Sequence, residues 1–306
     1  MKSILIFTTL VVLATANLDF EKFKVQYGKT YASPEEESYR LSIFEKNLKE
    51  IEEHNLKYEQ GLVTFKKAIN KYADWSKAEF RNTLPAFKSH QVQKRRVLRS
   101  RGNTPESIDW RDEGAVGPVP SQSVCGGWSP VAVGSMQSVN KIVNGELVLL
   151  SVSNLEDCVD GPGCTGGSIV SAYDYVKKNG INAASDYPQR YGTCQFQPDK
   201  IALKIRDYGV VNGTEDDLIE AIATIGPISV GVDVSDHFMF YTSGIFSDDT
   251  CVDNYINHYL LAVGYTKDAV ILQNTWGSSW GENGYIRMKR GTSMCGLTTA
   301  GIYPIL

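Results

Sequence analysis

The chain has 306 residues, 42% of them hydrophobic and 22% charged, an ordinary globular balance with apolar material for about two domains. Its formal net charge of -4 gives no ground for nucleic acid or an anionic membrane as a partner. The first element, residues 1–16, reads as an export signal. Lys2 supplies the positive start, Ile4 to Leu13 the apolar run, and Ala14-Thr15-Ala16 the small-residue cleavage site. That run is too short to span a bilayer, and no later segment is long and apolar enough. The expected product is soluble, and secreted or lysosomal.

Residues 18 to about 85 hold no cysteine, carry many Glu and Lys, and show helical spacing. Ser33-Pro34-Glu35-Glu36 predicts a helix start, with Ser as N-cap, Pro in the first turn and acids against the positive helix end. Tyr39, Ile43, Phe44, Leu48 and Ile51 then form one apolar face. Residues 86–103 lose the pattern and turn basic, and Lys94, Arg95, Arg96, Arg99 and Arg101 there offer either a solvated linker or a processing site.

Beyond about residue 104 the composition shifts to Gly, Ser, Tyr and Cys. Ser129-Pro130 reads as an N-cap and first-turn proline for a helix over Val131 to Leu150, and Ser171 to Lys178 forms another, stopped by Asn179-Gly180. From Ile228 onward the signals become strand-like, in Ile228 to Asp233, Tyr259 to Tyr265 and Ala269 to Leu272. Helices first and strands later predict an α+β fold with two packed halves. Six cysteines, an even number in an exported chain, favour three disulfides, although spacing alone does not choose the pairs. A metal site is disfavoured, since no C-x-x-C pair occurs and the histidines stand far from the cysteines. Asn212-Gly213-Thr214 is an open glycosylation sequon. His258 opens a strand that is followed by a second strand ending in Asn274, the residue pair that fixes an imidazole tautomer beside a nucleophile.

These residues fall into a pattern. Glu36, Arg40, Phe44, Asn47, Ile51 and Asn55 reproduce the E-x3-R-x3-F-x2-N-x3-I-x3-N spacing of cathepsin L-like propeptides, and Asn70, Tyr72 and Asp74 resemble their second motif. Pro105 to Val116, Gly163 to Gly167 and Asn274 to Tyr285 look like signatures of the papain family. The resemblance implies a signal over 1–16, a helical inhibitory propeptide over 17–103 and a papain-like domain over 104–306. It implies oxyanion, general-base and orienting roles for Gln122, His258 and Asn274, with Trp276 shielding the pair. It implies peptide contacts at Gly166 and Gly167, and a side-chain pocket at Ser168, Ile169 and Ala300 that Tyr259 narrows. Disulfides Cys125–Cys164, Cys158–Cys194 and Cys251–Cys295 follow in the same way, with no cofactor and no metal.

One position departs from the family. Where relatives read C-G-S-C-W, this chain reads Cys125-Gly126-Gly127-Trp128, one residue shorter, with Gly127 at the nucleophile. The expectation is therefore a noncatalytic homologue, not an enzyme, that binds a peptide, a protease inhibitor or a partner protein as a monomer. The alternatives are a residual peptidase using Ser129, and a propeptide that inhibits active cathepsins.

Overall fold

The computed structural model describes residues 18–84, 104–121, 126–159, 167–211, 213–252 and 255–306. The export signal, the basic cluster, Gln122, Cys125, Cys164, Gly166 and Asn212 lie outside the described residues.

Helix α1 covers residues 18–27, and α2 covers Pro34–Glu59. The start of α2 is set locally: Ser33 Oγ accepts from the Glu36 amide, and three acids fill the first turn. Its buried face is not purely apolar. Phe44 and Ile51 share it with Asn47 and His54, whereas Tyr39 is 55% exposed. The reason is that the helix packs on backbone as well as on side chains. Asn47 Nδ2 donates to the Ala73 and Trp75 carbonyls, and Asn55 makes a reciprocal pair with the amide and carbonyl of Lys67. After strand β1 (Phe65–Lys67), the short helix α3 (Lys77–Asn82) opens with a capping box of Ser76 and Glu79. Arg40 bonds both Glu79 and the Asp74 carbonyl, which ties α2 to α3.

The remainder begins with β2 (Ile108–Asp109) and continues through α4 (Trp128–Asn144), α5 (Val152–Cys158) and α6 (Ile169–Asn179). Helix α4 corrects the sequence expectation. Its N-cap is Gly127, not Ser129, so it starts three residues earlier than Val131, and Pro130 falls in the first turn where no intrahelical donor is lost. It ends at Gly145, which takes the left-handed conformation with φ 80. Strands β3 (Ile181–Asn182) and β4 (Ile201–Leu203) form a small ribbon, followed by β5 (Asp207–Val211) and α7 (Glu215–Thr224). The rest is β6 (Ile228–Val232), β7 (Tyr241–Phe246), β8 (His258–Tyr265), β9 (Ala269–Gln273), β10 (Tyr285–Lys289) and β11 (Gly301–Ile305).

The main sheet runs β1-β7-β10-β9-β8-β6-β11-β5, with β2 paired to β8. Strand β8 divides two apolar cores by simple alternation. Leu260 and Ala262 face the core of the sheet-rich half, while Tyr259, Leu261 and Val263 face the core built on α4 and α6. The first of these cores is shared with the N-terminal segment: Phe20, Phe44, Phe65, Tyr72 and Phe80 lie in one cluster with Phe238, Trp276 and Trp280. Cys158–Cys194 and Cys251–Cys295 are disulfide-bonded, and no cysteine among the described residues is free. No helix among the described residues is long and apolar enough to cross a membrane.

Candidate active site

His258 is the first residue of β8, and Asn274 directly follows β9, so the antiparallel pairing of these strands brings the two side chains together. The His258 Nε2–H donates to Asn274 Oδ1 at 2.8 Å, and the same oxygen accepts from the Thr275 amide at 2.7 Å. This bond assigns the imidazole proton to Nε2 and leaves Nδ1 as an acceptor. Burial pushes the imidazole down to about 4, only partly offset by the bond to Asn274, so the ring is neutral over the physiological range. Trp276 lies over it with ring centroids 5.0 Å apart.

Gly127 faces this ring from the start of α4. A Cβ built there would stand 3.2 Å from His258 Cε1, 3.2 Å from Thr275 Oγ1 and 3.1 Å from the Tyr259 carbonyl. Position 127 is thus the position opposite the histidine, but it contributes backbone alone. Ser129 does not replace it, because its fully buried hydroxyl donates to Glu156 Oε1 at 2.7 Å, away from His258. The indole of Trp128 occupies the space over Gly167, where any Cβ would lie 2.1 Å from the ring. Ser168 caps α6, and Ile169 and Tyr259 lie in one apolar cluster against which Ala300 packs. Tyr259 is buried, with its phenol pushed up to about 12 by desolvation.

The N-terminal segment packs on Trp276, the indole that lies over His258. Tyr72 and Phe80 meet Trp276 edge-on at 5.9 and 5.4 Å, and Lys71 donates to the Trp276 carbonyl at 3.0 Å. Asn70 donates to the Met239 carbonyl, and β1 adds itself to β7 as an edge strand. Sequence reading located Asn70 and Tyr72 but missed Lys71 and Phe80 as partners of Trp276. The aromatic at position 80 on a capped helix was the available signal.

Residues 104–305 match the family model for papain family cysteine protease, and residues 20–80 match that for the cathepsin propeptide inhibitor domain. The chain belongs to the papain family. Digestive cysteine proteinase 2 of Homarus americanus is 38% identical over the full length of both chains, and cathepsin L2 of Homo sapiens is 35% identical over 94% of this chain and 92% of its own. Among solved structures, digestive procathepsin L 3 from the larval midgut of Tenebrio molitor superposes with a TM-score of 0.87 at 36% identity, covering 95% of this chain and 99% of its own. The fold is that of a papain-like procathepsin, and the protein is a cathepsin L-like papain-family protease proprotein. These relatives overturn the expectation that the chain is not an enzyme. Proteins named as cysteine proteinases and cathepsins match 94 to 100% of its length, so the comparisons give inactivity no support.

Proposed function

We propose that this cathepsin L-like proprotein enters the secretory route and, once its propeptide is displaced, hydrolyses polypeptides at His258 and Asn274, in a lysosome or in a digestive setting like that named for several relatives. The observation that carries the reading is the buried His258–Asn274 pair, bonded through Nε2 so that Nδ1 is left as an acceptor, with position 127 beside the ring and Phe80 of the propeptide packed on Trp276. Since Gly127 has no side chain, the attacking group in this reading is water. His258 Nδ1 takes a proton as the water oxygen adds to the peptide carbonyl, and returns it to the amine as the C–N bond breaks. Gln122 is the side chain assigned to stabilise the oxyanion. This route is slow. Removing a side-chain nucleophile from a serine protease costs about 10^6 in turnover, with roughly 10^3 to 10^4 over water remaining from the rest of the site.

The test is hydrolysis of a fluorogenic dipeptide by processed protein, beside His258→Ala. The expected result is turnover that survives thiol alkylation and disappears in His258→Ala. Turnover unchanged by that substitution, or none above buffer, would refute the proposal.

A further inference from the structure

A cavity of about 470 Å³ opens between the propeptide and the loop after β6, with Asn257, the residue before His258, in its lining. Lys77, Arg81 and Leu84 form its propeptide side, and Asp233, Asp236 and Tyr255 stand among the residues opposite. Arg81 grips Asp236 with two parallel bonds, Nε to Oδ1 at 2.7 Å and Nη2 to Oδ2 at 2.6 Å, and Lys77 stands 4.0 Å from the same carboxylate. The two partners differ in how they are held. With the propeptide in place the Asp236 side chain is 16% exposed and that of Arg81 65%, so the carboxylate lies beneath the propeptide's cation. The cavity wall is also tied to the catalytic histidine. Asp233 accepts from Asn257 Nδ2 at 2.8 Å and from the Val252 amide at 2.7 Å, and Asn257 Oδ1 accepts from the Val234 amide at 2.7 Å. Asn257 directly precedes His258 in the chain.

We infer that Asp236, with Asp233 behind it and the half-exposed phenol of Tyr255 at the rim, forms a subsite for a basic side chain of the bound polypeptide, arginine above lysine. The inference rests on the peptidase reading for its biological use, and the propeptide supplies the second observation: its own arginine fills the seat. When the propeptide departs, Lys77 and Arg81 leave together and the Asp236 carboxylate loses both cations. A guanidinium restores two bonds in one plane, which an ammonium cannot do. A glutamate at that place on a substrate meets Asp233 and Asp236 and is rejected.

The test keeps the full chain. In Arg81→Ala proprotein the seat is empty while the cover remains, and N-acetyl-arginine methylamide is titrated by NMR. Saturable binding is expected, weaker for the lysine analogue and reduced at least about tenfold in Arg81→Ala/Asp236→Asn. Absence of binding, or binding indifferent to Asp236, overturns the subsite. A second arm compares the affinity of processed protein for peptides that carry Arg, Ala or Glu in a scanned position, read by calorimetry. A preference for Arg that Asp236→Asn abolishes supports the subsite even where turnover is absent, which separates it from the hydrolytic reading. No preference at any scanned position sinks it.

Discussion

At residue scale, the site reduces to what faces His258. Its tautomer follows from one bond to Asn274, and both residues were legible in sequence because their types and motif spacing are specific. Gly127 was legible at the nucleophile position from the motif, and the structure sets it beside His258; what sequence could not give is the crowding around it. Ser129 was misread for a definite reason. Its N-cap propensity is local, but the hydroxyl is claimed by Glu156, 27 residues away. Restoring a thiol tests the position directly. Gly127→Cys should raise kcat/KM by at least about 10^2 and make it sensitive to iodoacetamide, because removal of a nucleophile costs far more than that. It should not reach the level of active relatives, since the new Cβ would crowd three atoms at 3.1 to 3.2 Å and a shift of about 1 Å can cost 10^2. Inserting Ser before that Cys, to rebuild the five-residue motif, should do better. Steady-state kinetics on the two variants separates the cases.

At element scale, the described part of the propeptide is three helices and a strand that reach the site through Tyr72 and Phe80. Helix α2 was readable from its cap and spacing, but its buried face was not, because Asn47 and His54 serve carbonyls that only the fold brings near. Strands β5, β7, β10 and β11 escaped detection for a related reason: unlike the largely apolar β6 and β9, they mix Asp, Thr, Arg, Lys or Pro into the strand and depend on neighbours distant in sequence. Phe80 is fully buried against Trp276 and Tyr72. Phe80→Ala should destabilise the proprotein by about 3 kcal/mol and speed cleavage of the propeptide, as followed by limited proteolysis with trypsin. Asn47→Ala should cost about 2 kcal/mol, because it takes the donor from the buried bond to the Ala73 carbonyl and the part-buried one to the Trp75 carbonyl. Chemical denaturation measures both losses, and values under about 0.5 kcal/mol would contradict this account of the packing.

At the scale of the whole molecule, acid should loosen the proprotein. Burial pushes His54, His237 and His258 below the ordinary value of 6.5, the last to about 4. The unfolded chain therefore gains protons before the fold does, so these groups contribute stability that is complete above pH about 6.5 and lost as pH falls towards 4. His54 and His237 meet edge-on at 6.1 Å across the propeptide contact; burial and the Lys67 charge disfavour protonating them, against Asp248 and Glu50 at His237, so charging both opposes docking. Thermal unfolding should show Tm falling from pH 7 to pH 5, and less steeply in His54→Gln/His237→Gln; equal slopes would remove the two histidines from this role. The two-halved architecture was legible because motifs span most of the chain, whereas the seat of Arg81 on Asp236 joins residues 155 apart and only the folded molecule brings them together. The central claim, hydrolysis by a neutral histidine acting on water, is tested most directly by the pH dependence of kcat/KM for the processed protein. A single rise through the imidazole ionisation to a plateau is predicted, because only the base must be unprotonated. A bell-shaped profile, which would require a second ionising partner, or a profile unchanged in His258→Ala, would contradict it.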